Sequence, residues 1–181
     1  VPPSIEEALA GATIIVNCSA SDETVGKGSY RTRLIAGQSA RLIAGYVYAN
    51  AGEGESTTDL VFGGHNIIAE DGTILRQSER YKNEIIYSEI DLEKIVGERR
   101  KNTTFSPEKL NCGCPVVVPF HVGICDTVLT RNFSQHPFVP SDEAARAHIC
   151  DEILTIQAMG LKKRLSHTNA KSAVVGISGG L

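Results

Sequence analysis

Apolar positions along this chain follow two periods, and the changes between them mark the elements. Pro2-Pro3-Ser4-Ile5-Glu6-Glu7 reads as a helix start, with Ser4 as cap and Glu7 three residues on to close a capping box. Ala8, Leu9 and Ala10 continue it, and Gly11 suits a left-handed C′ position. Residues 12–18 (ATIIVNC) are a continuous β-branched run, which predicts a strand buried on both faces. Small hydroxyls come next in Ser19-Ala20-Ser21-Asp22. Gly26-Lys27-Gly28-Ser29 then leads into a helix over about 30–44 whose expected core face is Tyr30, Leu34, Ala40 and Ile43.

Residues 45–65 (GYVYANAGEGESTTDLVFGGH) are the stretch around which the rest of the chain is organised. Tyr46-Val47-Tyr48 and Leu60-Val61-Phe62 read as two buried strands joined by a polar, glycine-bearing loop, the second ending on Gly63-Gly64. Asp71-Gly72 between two apolar runs predicts a hairpin. Residues 85–90 read as another strand, and Asp91 as the cap of a helix over 92–101. Residues 102–140 lack periodicity apart from a candidate strand at Val116-Val117-Val118. Ser141 is placed to cap a last long helix to about Leu165, with apolar face Ile149, Ile153, Ile156 and Leu165. Ala173-Val174-Val175-Gly176-Ile177 reads as a short buried strand breaking into Ser178-Gly179-Gly180. Strand, polar turn, helix, strand is the grammar of an α/β protein.

Composition narrows the function classes. The 181 residues are 41% apolar and 22% charged with a net charge of −3, which offers no basic face for nucleic acid. No apolar run approaches a membrane span, and no charged-then-apolar leader opens the sequence. Five scattered cysteines, an odd number, suit a reducing compartment, so a cytoplasmic location is expected. The sequence opens on Val1 and stops at Leu181 directly after Gly179-Gly180, which leads us to expect a piece of a longer protein.

Two clusters carry candidate chemistry. Glycines after a buried strand, as in Ser178-Gly179-Gly180, let backbone N–H groups approach an anion; the alternative is an ordinary strand-to-helix turn. Ser19, Ser21 and Lys27 place hydroxyls at a strand's carboxyl end and a cation on the next turn, a set able to hold a small zwitterion. Read from composition alone, they are capping hydroxyls and a solvated lysine. Glu53 and Glu55 either face a pocket or are solvated. Cys112-Gly113-Cys114 with Cys125 and His121 is too closely spaced for a usual zinc site, so no metal site is expected. Cys18, in a strand, reads as a small hydrophobe rather than a nucleophile.

Residues 45–65, together with residues 17–27 (NCSASDETVGK), resemble the nitrilase-type glutaminase domain of glutamine-dependent NAD synthetases. Residues 175–181 (VGISGGL) resemble the opening of the SGGxDS pyrophosphate loop of ATP pyrophosphatases. The resemblance implies the carboxyl-terminal half of a nitrilase-like αββα sandwich over 1–101, an irregular connector over 102–140, and over 141–181 the start of a Rossmann-like ATP-pyrophosphatase domain. It implies that Ser21 and Lys27 bind substrate glutamine, although some relatives carry arginine where Lys27 stands, and the two cations are not equivalent toward a carboxylate. It assigns ATP to Gly176, Ile177, Ser178, Gly179, Gly180 and Leu181, with magnesium, and implies deamido-NAD as co-substrate and a homo-oligomer. The family's Glu-Lys-Cys triad is absent from these 181 residues, so no catalytic residue is assigned and the chain alone is expected to be inactive. A stand-alone carbon–nitrogen hydrolase and a non-catalytic binding relative are the alternatives.

Overall fold

The computed structural model describes residues 2–56, 59–105, 116–126, 128–133, 135–136, 139–140 and 142–176. The chain divides into two compact units, Val1–Arg131 and Asn132–Leu181.

The first unit is mixed α/β around a four-stranded sheet of order β1-β2-β3-β4. Strand β1 (Ile14–Ser19) pairs in parallel with β2 (Gly45–Asn50). Parallel neighbours need a crossover, and helix α2 (Lys27–Leu42) supplies it. Strand β3 (Ile67–Glu70) runs antiparallel to β2, and β4 (Thr73–Gln77) antiparallel to β3. The β3–β4 turn is the expected Asp71-Gly72, both with positive φ (46° and 86°), as a two-residue hairpin turn of the primed type requires. Glu70 belongs to the strand rather than the turn.

Helix α1 (Pro2–Leu9) begins two residues before the expected cap, so Ser4 lies inside it; proline's preset φ is tolerated in a first turn. Its end is a Schellman motif, with Gly11 N–H on Ala8 O (3.1 Å) and Ala12 N–H on Glu7 O (3.0 Å), and Gly11 has φ +112°. Helix α2 ends in the same way. Ile43 N–H reaches Ala40 O and Ala44 N–H reaches Ser39 O, but here the left-handed position holds Ile43 instead of glycine.

The sheet's first face carries the core: Ile15, Tyr46, Tyr48, Ile67 and Ala69 pack with Ala8 of α1 and Ile35 and Leu42 of α2. The buried stripe of α2 is Gly28, Arg31, Ile35, Ser39 and Leu42. This corrects the expected face. Tyr30 and Leu34, each one position off this stripe, are exposed (57% and 43%), and two core-facing positions are instead polar and satisfied by hydrogen bonds: Arg31 on the 21–23 turn, and Ser39 donating to Ala44 O at 2.6 Å. Strand β1 is also not buried on both faces. Ile14 and Val16 are exposed on the second face (39% and 65%), where Ile90 lies over the neighbouring Gly45.

Helix α3 (Leu92–Lys101) starts where expected, with Asp91 accepting from Lys94 N–H at 2.9 Å, and buries Ile95. Three expected strands of this unit are not formed. Residues 60–62 make only a single antiparallel bridge, Asp22 to Phe62, with Leu60 and Val61 exposed. Residues 85–90 form no strand and have no ladder partner among the described residues, and Ile85 and Tyr87 are exposed. Val116, Val117 and Val118 are likewise exposed and unpaired into any sheet of the described residues. A β-branched run becomes a strand only beside a partner, and these runs have no ladder partner among the described residues.

In the second unit, helix α4 spans Glu143–Thr168. Its cap is Asp142, accepting from Ala145 N–H at 2.7 Å, in place of the expected Ser141, which lies outside the described residues together with Pro137 and Phe138. None of its residues is buried; Ile153 and Ile156 of the expected apolar face are open. Residues 173–176 are not a buried strand: Val174 and Val175 are exposed. Among the described residues, no helix is long and apolar enough to cross a membrane.

Candidate functional site

The carboxyl ends of parallel strands β1 and β2 lie side by side, with Ser19 opposite Asn50 in the register. Ligands of α/β sheets gather at such ends, because the chain leaves both strands there in loops that are free to vary. Asn50 ties the two loops together. Its side-chain oxygen accepts Ser21 N–H at 2.9 Å, and its amide nitrogen donates to Ser21 O at 3.0 Å. Tyr48 OH donates to the same oxygen at 3.3 Å, and Asn50 N–H is itself held by Asn66 Oδ1 at 2.9 Å.

From the other side the turn is gripped by Arg31, only 3% exposed on α2. Its Nη1 donates to Glu23 Oε1 at 2.7 Å and lies 3.2 Å from His65 Nδ1. Its Nη2 reaches Ser21 Oγ (3.3 Å), Ser21 O (3.4 Å) and Asp22 O (3.4 Å). Glu23, its side chain 3% exposed, also takes Arg80 at 3.5 Å, and its backbone N–H donates to Val61 O at 2.7 Å. Burial, and then the Arg31 cation, hold His65 below the usual histidine range, so the ring is neutral at pH 7.

Lys27 opens α2, one turn before Arg31, and its ammonium sits on Asp22 Oδ1 at 2.5 Å. That bond holds the Asp22 carboxyl below the usual carboxylate range. Ser21 and Lys27 are thus both tied to the 21–23 turn: Ser21 lies in it, held by Arg31 and Asn50, and Lys27 reaches it from α2 through Asp22. Beside it, Asn50, Gly52, Glu53, Glu55, Gly64 and Asn66 line an open cleft of about 330 Å³ with residues 82–85, so both loop glutamates border a pocket while remaining exposed.

Glycines let this packing close. A Cβ at Gly63 would fall 2.5 Å from Glu23 Oε1, and one at Gly64, whose φ is +58°, would fall 3.2 Å from Lys82 O. Cys18 is exposed, on the sheet's open face. Among the described residues no group of three metal-ligating side chains occurs; Cys112 and Cys114 lie outside them. Of the expected ATP residues, Gly176 is described and 177–181 are not.

No family model matches the sequence. A glutamine-dependent NAD(+) synthetase of Mycobacterium leprae is 40% identical over 190 residues, covering all of this chain and 28% of that protein. Those of Mycobacterium bovis and Mycobacterium tuberculosis are 39% identical over 189 residues, with the same coverage. The chain is similar over its whole length to these glutamine-dependent NAD(+) synthetases. It spans a little over a quarter of their length. Among solved structures, a glutamine-dependent NAD(+) synthetase of Cytophaga hutchinsonii matches 40% of the chain and 12% of its own, at 34% identity and a TM-score of 0.39. A carbon–nitrogen hydrolase of Helicobacter pylori matches 54% of the chain and 38% of its own, at 22% identity and a TM-score of 0.42.

The residues that sequence reading missed are Glu23, Arg31, Asn50 and His65. A signal existed for Arg31: it stands at helical spacing from Gly28, Ile35 and Leu42, on the stripe that turned out to be buried. For the other three, only the fold reveals that they converge.

Proposed function

We propose that this chain is part of an enzyme that hydrolyses glutamine and uses the ammonia to amidate deamido-NAD in an ATP-dependent step. In this reading Ser21 and Lys27 hold glutamine, and residues 1–101 form the carboxyl-terminal half of a nitrilase-like αββα sandwich. Residues 102–140 connect to residues 141–181, the start of a Rossmann-like ATP-pyrophosphatase domain whose loop 176–181 takes ATP as its magnesium complex. The observation that carries the reading is that one anchored turn at the carboxyl ends of β1 and β2 holds Ser21 and, through Asp22, binds Lys27, in a chain similar throughout to glutamine-dependent NAD(+) synthetases. A hydroxyl and an ammonium there suit the polar end of an α-amino acid, with Lys27 exchanging Asp22 for the substrate carboxylate. The part of the second face left exposed at Ile14 and Val16 is where a second sheet of the sandwich would pack.

The test is glutamine-driven NAD formation by the full-length protein. Lys27→Met is expected to raise the KM for glutamine about tenfold or more, the cost of one charge-assisted contact. An unchanged KM overturns the assignment of this turn to glutamine. The 181 residues contain no Cys-Glu-Asp sequence, and alone they are expected to release no ammonia from glutamine.

A further inference from the structure

We infer that Arg31 is a positioning residue of the glutamine site, holding the Ser21 hydroxyl and the 21–23 turn in fixed relation to the helix that carries Lys27; this rests on the reading of Ser21 and Lys27 as glutamine-binding residues. One buried guanidinium contacts three consecutive residues: Ser21 through Oγ and O, Asp22 through O, and Glu23 through Oε1. It sits four residues after Lys27 on α2, so a displacement of the turn would move Ser21 and Lys27 apart. Lysine's point charge has no fork with which to hold these acceptors together.

The orientation of the side chain argues for this role over simple core filling. Its two terminal nitrogens are directed at the turn, at Glu23 and at His65. Glu23 neutralises the cation, so the guanidinium requires no counterion from the substrate, and neutral His65 offers it an acceptor from the opposite loop. A substrate bound at Ser21 is therefore read through Arg31 without touching it.

A double-mutant cycle on the full-length protein tests this. The four forms are wild type, Ser21→Ala, Arg31→Lys and the pair, each assayed for KM and kcat with glutamine. Arg31→Lys is expected to raise KM about tenfold with kcat within about twofold. The pair is expected to raise KM no further than the larger single effect, because Arg31 acts through Ser21. Multiplicative KM effects, an Arg31→Lys KM equal to wild type, or a loss confined to kcat overturns the inference while leaving the glutamine reading intact. A Ser21→Ala enzyme with unchanged KM overturns the glutamine reading and the inference with it. If Arg31→Lys does not fold, Glu23→Gln/Arg31→Gln replaces it in the cycle, since that pair leaves no unpaired buried charge.

Discussion

At the scale of single residues, this molecule depends on polar groups placed where an apolar residue would be expected. Arg31 and Ser39 occupy the buried stripe of α2, and Glu23, His65 and Glu70 are buried or nearly so in loops and strand ends. Each is tolerated because it meets a partner; a buried polar group without one would cost about 1–3 kcal/mol. This makes small neighbours important. The Glu23 carboxylate is fixed by Arg31 and Arg80, so it cannot retreat from a methyl group placed 2.5 Å away. Gly63→Ala is accordingly expected to destabilise the first unit by roughly 1–3 kcal/mol. Urea unfolding checks this, and a variant as stable as wild type would show that the turn relaxes freely.

At the scale of elements, Arg99 of α3 joins pieces distant in sequence. Its guanidinium donates to Ile43 O (2.9 Å), Ala12 O (2.8 Å), Leu42 O (3.1 Å) and Ala8 O (3.5 Å), and stacks on Phe105 with 4.7 Å to the ring centroid. These carbonyls belong to the ends of α1 and α2, where helices leave acceptors unsatisfied and where their dipoles favour a cation. The same contact supports Ile43, a β-branched residue held at φ 45°. Arg99→Met should cost on the order of 3 kcal/mol by stranding several carbonyls. Arg99→Lys should recover less than half of that, because one ammonium cannot span four acceptors at two helix ends. Thermal unfolding of the three forms ranks them; equal midpoints for Lys and Arg would remove the role of the fork.

At the scale of the whole molecule, buried charge sets the pH dependence of the first unit. Burial alone would raise the Glu70 pKa. Two bonds from Arg131 (2.7 and 2.8 Å), the Asp91 N–H and Lys94 outweigh it and hold the carboxyl at about 2. Since the folded pKa lies below the unfolded one, the stabilisation is present above pH 4.5 and is lost as pH falls toward 2, roughly 3 kcal/mol in all. His65 is also depressed, so its contribution is lost earlier, as pH falls below 6.5. Urea unfolding from pH 8 to pH 3 should therefore show two acid limbs. His65→Gln should flatten the first and Glu70→Gln the second; an unaltered profile in either variant refutes its assignment. Exposed apolar surface marks both units taken singly: Ile14 and Val16 on the sheet, and Ile153 and Ile156 on α4. The isolated 181-residue chain is expected to self-associate, eluting above monomer mass in light scattering, whereas a clean monomer at high concentration would contradict this.

What the sequence determined by itself were features set by neighbours along the chain. The Asp71-Gly72 turn, the Asp91 cap, the helix over 92–101 and the Gly11 helix end depend on local φ, ψ and hydrogen bonds, and each is where local chemistry puts it. The motifs around Ser21, Lys27 and residues 45–65 likewise pointed to the family, since motif identity needs no coordinates. Tertiary structure decided which apolar runs became strands. Residues 60–62, 85–90 and 116–118 have the right composition but join no ladder of the four-stranded sheet among the described residues. It also decided which side chains form the site. Glu23, Arg31, Asn50 and His65 come from four separate segments, and a polar residue becomes a partner only when folding removes water and brings another polar group within about 3 Å.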